Sequence, residues 1–514
     1  MFKSYCLRGA LLLLYIPLLQ QSGAQWSTTL EHPSGRSGAC HGLELDNGSF
    51  VVVTLSGEFR SVYSRFCDLI VMDEEGLVTQ ERQITSPDRL PIVHGLHLSE
   101  TSGDFLLPGT SHDTLDFQAP SSSSISLWTL NAELTNVNVF SASQGARNHT
   151  LGSSSMDSQG NCYLAAVAYD FVEGSVQAVV AAKWNPTGTV LAFDTVVQYQ
   201  GIGKAHDLKA LPDGRMALLA FHASDSPPGT GPVGLFKLDN DLTVSSVDAL
   251  HCVDPTQTFG LNAPFDQLDI LPLPSGNFIV GGTFNPFMDG QWRSVIQLTD
   301  DQAQPIGQHV ISSPYVVDFA ALSRCLDMAP DGTFLFSQTQ NFQGTHSVEG
   351  EFGEPSRVLV TRLDTSLQVL EEYLFDGFAD GHYYLVNGVL NARDGGAFVY
   401  GHSYDLGTPP ANRRRDAWVA KISADQFVGV QQKEAPMLTL FPNPGQNSFI
   451  LSLDRPAYDL HVRLFDTQGR LAHTQHVSGL NLAVDATGLA SGLYAVQLTD
   501  PNRTVVASGR WLKE

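Results

Sequence analysis

The strongest constraint on the fold is a hairpin pattern that recurs seven times between residues 42 and 400. In each copy an alternating stretch ends in a tight turn with glycine, and a longer apolar stretch follows, most clearly at Leu211-Pro212-Asp213-Gly214. Successive turn glycines are 54 to 63 residues apart, an even period that indicates a repeat architecture. The seven are Gly48, Gly103, Gly160, Gly214, Gly276, Gly332 and Gly395.

A second hairpin follows the first within each repeat, as at residues 68–78 and 234–244. Each repeat therefore supplies four antiparallel strands, with Asp, Asn and Gly at the turns. Seven such units predict an all-β, seven-bladed β-propeller over residues 25–435, because ring closure removes open sheet edges. The Pro-Asp-Gly cadence loosely resembles delta-60-type propeller repeats. Two tandem β-sandwiches are the rival fold, but they would not explain the even period.

The segment 436–514 carries three motifs in a fixed order. They are Phe441-Pro442-Asn443-Pro444, then Asp466-Thr467-Gln468-Gly469-Arg470, then Leu489-Ala490-Ser491-Gly492-Leu493-Tyr494, with Lys513 near the end. This order resembles the type A C-terminal sorting domain of cargo of the type IX secretion system of Bacteroidota. The resemblance implies a small β-sandwich that binds the export machinery, and an ordinary small β domain is the alternative. The residues that carry it are Pro442, Asn443, Pro444, Asp466, Gly469, Gly492, Tyr494 and Lys513.

The amino-terminal residues 1–24 have the pattern of a secretory signal peptide. Lys3 and Arg8 precede a ten-residue apolar stretch, and a small-residue cleavage site ends at Ala24. No later stretch approaches the ~18 apolar residues of a membrane-spanning helix. Together with the sorting motifs, this predicts a protein that passes through the periplasm to the cell surface or the medium.

The charge balance excludes one class of partner. The chain has 29 basic and 53 acidic residues, a formal net charge of −24, and such a surface repels nucleic acid. Five cysteines follow the signal peptide, and Cys40 with Cys67 is the pair expected to form a disulfide in an oxidising compartment.

Polar residues recur seven to ten positions before the turn glycines, where the inner strands of the blades begin. We expect them to surround the mouth of the central channel, on the same face as the long connections 110–124, 221–232, 284–292, 340–356 and 401–416. The predicted ligand-binding residues are His41, His94, His206, Asp207, Asp266, Arg324 and Asn387. Calcium or a transition metal is one candidate for this ring; mere solvation of a wet channel mouth is the alternative. His94 and His97 are expected to face opposite sides of a strand.

No cofactor motif or catalytic motif is evident: G-x-S-x-G, H-E-x-x-H and the P-loop pattern are all absent from the sequence. Whether the protein is an enzyme is therefore left open. The sequence favours an exported module that binds an extracellular ligand, either a glycan or a protein. A polysaccharide-active hydrolase or lyase with a site on the same face is one alternative, and a structural surface-layer component is the other.

Overall fold

A computed structural model of the chain divides into two compact units, the first ending at Phe427 and the second beginning at Val428. It describes residues 25–30, 37–56, 66–84, 89–113, 123–142, 148–170, 175–198, 204–221, 233–253, 268–284, 292–311, 313, 315, 317–343, 354–409, 413–429, 439–466, 470–499 and 505–514. The predicted signal peptide, residues 1–24, lies outside these residues, as does most of each long connection except 401–416.

The first unit is built almost entirely of short strands. In chain order they are β1 (Trp26–Leu30), β2 (Ser37–Glu44), β3 (Phe50–Ser56), β4 (Phe66–Met72), β5 (Val78–Ile84), β6 (Arg89–Val93), β7 (His97–Leu98), β8 (Phe105–Asp113), β9 (Ser123–Leu130), β10 (Val137–Ala142), β11 (Asn148–Met156), β12 (Cys162–Asp170), β13 (Ser175–Trp184), β14 (Val190–Gln198), β15 (Ala205–Ala210), β16 (Met216–Phe221), β17 (Val233–Leu238), β18 (Val244–Ala249), β19 (Asp269–Pro272), β20 (Phe278–Phe284), β21 (Arg293–Thr299), β22 (Pro305–Ile311), β23 (Asp318–Ala320), β24 (Leu326–Met328), β25 (Phe334–Gln340), β26 (Arg357–Leu363), β27 (Val369–Asp376), β28 (His382–Asn391), β29 (Ala397–Asp405) and β30 (Asp416–Ile422). One helical turn, α1 (Gly377–Asp380), precedes β28, and a 3₁₀ turn (Ala424–Gln426) follows β30.

These strands form seven antiparallel sheets, each with four strand positions from the axis outward, which confirms the seven-bladed propeller. Numbered along the chain, blades one to six are β2–β5, β6–β10, β11–β14, β15–β18, β19–β22 and β23–β27, and blade seven is β28–β30 with β1 outermost. In blades two and six the innermost strand is split, into β6 and β7 and into β23 and β24. All seven predicted turn glycines adopt positive φ, between 72° and 87°. The hairpin turns lie on one face, which we call the turn face. The strand ends opposite these turns define the other face, the top face.

The seventh blade is completed by the start of the chain. β1 pairs antiparallel with β30 from Trp26↔Lys421 to Leu30↔Ala417, so it forms the outermost strand of the last blade. The Trp26 indole donates a 2.8 Å hydrogen bond to the Glu74 carbonyl in blade one. The ring is thereby closed by a strand that the hairpin pattern did not include.

The apolar core lies between neighbouring blades rather than inside any one of them. One cluster joins blades one and two around Trp128, another joins blades two and three around Trp184, and a third joins blades seven and one around Phe50 and Phe398. Because both faces of a blade are covered, the inner strands are buried at nearly every position, as in β16, where all six residues are buried. The outermost strands carry the polar, exposed residues, as in β5.

The expected disulfide between Cys40 and Cys67 is not present. Both are free thiols, and the Cys40 S–H donates to the Val53 carbonyl at 3.3 Å. Cys40 lies on β2 and Cys67 on β4, with β3 between them. Two strand spacings put their Cα atoms about 9–10 Å apart, whereas a disulfide needs less than about 7 Å.

The second unit is a small antiparallel β domain. The strands of its sheet are β32 (Thr439–Phe441), β33 (Ser448–Phe465), β34 (Leu471–Asp485), β35 (Gly492–Thr499) and β36 (Val505–Lys513). The two-residue strand β31 (Val428–Gly429) precedes them and is not part of this sheet. The long β33 pairs with β34 along its length and with β35 over its last five residues. An apolar cluster that includes Phe449 and Trp511 forms its core.

Candidate functional site

A cavity of about 280 Å³ lies on the propeller axis, where inner strands from several blades converge. Blades one to four, six and seven contribute to its wall. Its polar lining residues are Cys40, His41, His94, His97, Ser153, Ser154, Lys204, Asp207, Lys209, Ser323, Arg324 and Tyr400.

Irregularities in the inner strands shape this wall. β2 shifts register around Cys40, β11 between Thr150 and Gly152, β15 around His206, and β28 around Asn387. The breaks in the split inner strands of blades two and six also supply lining residues, among them Gly95 and Ser323. A bulge bends its strand and redirects the neighbouring side chains, which is how such strands serve sites.

Four of the predicted residues meet at this cavity: His41, His94, Asp207 and Arg324. His41 places Nε2 3.2 Å from the Val93 carbonyl, and His94 places Nε2 3.3 Å from the Thr110 hydroxyl. Burial, with the Arg324 charge, lowers the pKa of His41 to about 4 despite the Val93 bond. His41 is therefore a neutral donor at pH 7.

Two described residues of the predicted set, His206 and Asn387, do not line the cavity wall. His206 is buried against Phe221 and accepts a hydrogen bond from the Leu268 amide at 3.3 Å. Asn387 donates to the Ala39 carbonyl at 2.7 Å and so ties blade seven to blade one. Asp266 lies outside the described residues.

His97 is a wall residue that the sequence argument missed. The expectation that His94 and His97 face opposite sides was wrong, because the strand is interrupted between β6 and β7 and both border the cavity. His97 Nε2 is 2.9 Å from the Ser154 hydroxyl, which itself donates to the His94 carbonyl. Burial and the Arg324 charge lower the pKa of His97 to about 3.

A second missed feature is the charge cluster of Lys209, Asp207 and Asp269. The Lys209 ammonium lies 3.0 Å from one carboxylate and 3.2 Å from the other. Burial raises the pKa of Asp207 to about 8. Burial acts the same way on Asp269, but Lys209 and hydrogen-bond donors outweigh it and lower that pKa. The sequence did contain a signal for this ion pair, since Asp207 and Lys209 lie two residues apart on one strand and so point to the same face.

Arg324 is the most exposed cation of the wall, with 36% of its side chain accessible. It forms an ion pair with Asp327, three residues along the chain, while its Nε is buried without a hydrogen-bond partner. Asp327 also accepts from the Asn391 amide at 2.6 Å, so Arg324 is not its only partner.

The metal alternative finds no support in the described part of the ring: there, no three His, Cys, Asp or Glu side chains are placed to hold a metal ion.

In the second unit the predicted sorting residues converge on the last strand. Asn443 donates to the Arg510 carbonyl at 2.7 Å and accepts from the Leu512 amide at 3.0 Å. Trp511 donates to the Pro442 carbonyl. Motifs far apart in sequence therefore form one end of the domain.

The remaining sorting residues brace turns. Lys513 Nζ donates to the Ala486 carbonyl at 2.6 Å, the Tyr494 hydroxyl donates to the Ala490 carbonyl at 2.8 Å, and Asp466 accepts from Arg470. Pro444 and Gly492 are in the described domain, whereas Gly469 lies outside the described residues.

Residues 439–508 match the family described as the secretion system C-terminal sorting domain. No curated protein matches the chain. Among the described residues, no helix has the length and apolar character needed to cross a bilayer. The sorting-domain match means that the chain is a β-propeller followed by a type IX sorting domain, and that it is exported across the outer membrane to the surface or the medium.

Several solved structures resemble the chain at low identity. A protein of unknown function from Bacteroides caccae is 11% identical, with a TM-score of 0.36, over 64% of this chain and 93% of that one. A protein of unknown function from Dyadobacter fermentans is 10% identical, with a TM-score of 0.42, over 71% and 99%. Virginiamycin B lyase from Staphylococcus aureus is 8% identical, with a TM-score of 0.39, over 77% and 99%. Likenesses this remote say nothing about what the present cavity binds.

Proposed function

We propose that the protein is an exported binding module that takes a sugar-sized group of an extracellular glycan into the axial cavity. The observation that carries this proposal is the convergence of polar side chains from six blades on one cavity of about 280 Å³. A concave site with a few convergent polar groups is the usual form of a small-molecule site. The volume is just below the ~300–1,000 Å³ of drug-sized ligands, which suits one sugar unit rather than a polymer segment.

The rigidity of the wall supports binding. The hydroxyls of Ser153, Ser154 and Ser323 are held by hydrogen bonds to neighbouring blades, and His97 is held by Ser154. Side chains fixed in this way lose little conformational entropy when a ligand arrives. Export to the surface or the medium brings the cavity into contact with environmental glycans.

The test uses a substitution that fills the cavity. Titration of the mature chain with a panel of neutral and acidic oligosaccharides should give saturable binding, and His41→Trp should abolish it while keeping an N–H near the Val93 carbonyl. His382→Trp is the matched control, because His382 stacks on Tyr384 away from the cavity wall. Unchanged binding in a folded His41→Trp variant would place the site elsewhere.

A polysaccharide-active enzyme on the same face remains the second candidate. It is supported by Asp207, whose raised pKa is of the kind that acid–base groups in sites show. Release of reducing ends or unsaturated products from any bound oligosaccharide would replace the binding role with this one.

A further inference from the structure

The one carboxylate that lines the cavity among the described residues already has hydrogen-bond donors inside the protein. Asp207 already accepts from Ser153 at 2.7 Å, from the Ile270 amide at 2.9 Å and from Lys209 at 3.0 Å. The Ser323 hydroxyl donates toward the Cys40 and Asn387 carbonyls at 2.8 and 2.7 Å, so these two carbonyl oxygens are engaged as well. The carboxylate of the wall and these carbonyls therefore already have donors inside the protein.

The cations of the wall retain donors. An arginine carries five N–H groups, and the Arg324 hydrogen bond to Asp327 uses one of them, while Nε is buried without a partner. Lys209 has three N–H groups and two carboxylate neighbours, and 21% of its side chain is exposed. Such a surface fits a group that only accepts hydrogen bonds.

The charge of the wall points the same way. Lys204, Lys209 and Arg324 line the cavity, and Asp207 is the single carboxylate that does so among the described residues. Asp269 and Asp327 lie behind the wall and pair with Lys209 and Arg324. The three cations are thus matched by three carboxylates in all, but only one of these carboxylates faces the cavity, so the cavity surface itself presents more positive than negative groups. At a partly buried site electrostatic attraction is screened least.

Building on the binding role proposed above, we propose that the axial cavity binds an oxyanion, the carboxylate of an acidic sugar. Arg324 is its principal partner, with Lys209 and Lys204 beside it. A guanidinium suits a carboxylate because its planar N–H groups match the two oxygens, and charge-assisted hydrogen bonds are the strong ones.

Calorimetric titration of the mature chain with D-galacturonate, D-glucuronate, D-galactose and sodium sulfate tests this assignment. At least one uronate should bind at least about tenfold more tightly than galactose, the effect of one charge-assisted contact. Arg324→Gln should lose at least about tenfold in uronate affinity. Arg324→Lys, which keeps the charge beside Asp327, should lose less. Arg357→Gln is the matched control: it removes one charge from the same blade, where Arg357 pairs with Asp376.

Each other outcome overturns the assignment in a distinct way. Galactose that binds as tightly as the uronates and is excluded by His41→Trp would leave the binding role standing but make the ligand neutral. Sulfate that binds as tightly as the uronates and competes with them would make this a site for free inorganic anions. Uronate affinity that is equal in wild type and Arg324→Gln, or absent for both uronates, would remove Arg324 as an anion partner.

Discussion

At the scale of single residues, the polar side chains of the inner strands mainly connect one blade to the next. The Asp207 carboxylate accepts from the Ile270 amide at 2.9 Å, and Asp269 does the same for Leu326 at 2.8 Å. Each carboxylate belongs to one blade and each amide to the following one. The polar residues around the channel therefore serve mainly to hydrogen-bond one blade to the next, and only a few of them also face the cavity.

His206 is such a joint, so we predict that His206→Ala lowers the free energy of unfolding by about 1–3 kcal/mol. The reason is that the buried Leu268 amide loses its acceptor and Phe221 loses its ring contact. Urea denaturation measures the change. His382→Ala, at a partly exposed position, should stay within about 0.5 kcal/mol. Equal small effects would show that His206 is dispensable.

The sequence predicted which segments reach the axis but not which side chains face it. Counting back from Gly214 places His206 and Asp207 together, yet a one-residue bulge turns one away and leaves the other on the wall. A single register step exchanges the two faces of a strand. A bulge cannot be recognised from the alternation of polar and apolar residues in one sequence. Only the structure therefore shows that His41 and Asp207 line the cavity whereas His206 and Asn387 do not.

At the scale of elements, the turns between the third and fourth strands of blades one to six all need a residue with positive φ at their fourth position. Glycine fills this position in blades one and three, at Gly76 and Gly188. The other four blades place Leu134, Leu242, Ala303 and Leu367 there. These leucines and the alanine are buried, so packing offsets the backbone strain. Where glycine stands, Trp26 or Phe140 occupies the space instead.

This difference predicts unequal costs for two glycine substitutions. Gly214→Ala, at φ +87° with open space around it, should cost about 1–2 kcal/mol from backbone strain alone. Gly188→Ala should cost more, because its Cβ would lie 2.2 Å from the Phe140 ring. Thermal or urea unfolding of both variants gives the comparison. A Gly188→Ala variant as stable as Gly214→Ala would mean that Phe140 moves aside freely.

The closing strand β1 should matter more than its five residues suggest. Trp26 lies with its ring centroid 6.0 Å from those of both Phe50 and Phe398. We predict that Trp26→Ala lowers the free energy of unfolding by about 2–4 kcal/mol, since it removes a large side chain from the joint between blades seven and one. Thr29→Ala, on the exposed side of the same strand, is the control. Equal effects would argue against a closing role for β1.

Hairpins were predictable at this scale because their signals are local. The four residues Leu211-Pro212-Asp213-Gly214, for example, are enough to predict a turn. β1 was not predictable, because its partner β30 lies at the other end of the propeller and neither carries a turn signal that links them.

At the scale of the whole molecule, the buried histidines should make stability depend on pH. The pKa values of His41 and His97 are lowered to about 4 and about 3, so between these values and about 6.5 the unfolded chain binds more protons than the folded one. Stability is thus lost as pH falls below 6.5. The raised pKa of Asp207 acts in the opposite sense.

A comparison of variants isolates the histidine contribution. We expect His97→Gln to lose about 2 kcal/mol less stability than wild type between pH 7 and pH 5. His382→Gln should not, because the hydrogen bond that the His382 ring donates to Asp380 raises the pKa of His382. Urea denaturation at the two pH values measures both. Identical losses in wild type and His97→Gln would contradict a buried neutral histidine.

The sorting domain makes a prediction about location. Deletion of residues 436–514 should leave the propeller in the periplasm, because the residues matched by the sorting family lie within the deleted segment. Fractionation followed by immunoblotting shows where it accumulates. Replacement of Lys513 by Ala in the full chain tests the brace on the Ala486 carbonyl with less disturbance. Wild-type amounts of the truncated protein in the medium would contradict the role of the domain.

The pairing of β1 with β30 also constrains the order in which the propeller can fold and close. Neighbouring hairpins let the first six blades form as the chain appears, but Trp26 cannot meet Lys421 until almost the whole propeller has been made. Joining such distant residues carries the largest loop-closure cost and the slowest kinetics. A nascent chain is therefore an open stack of blades with two unsatisfied edges, vulnerable to proteases and to other copies of itself. Closure of the propeller is therefore a single late step, and pairing of β1 with β30 marks its completion.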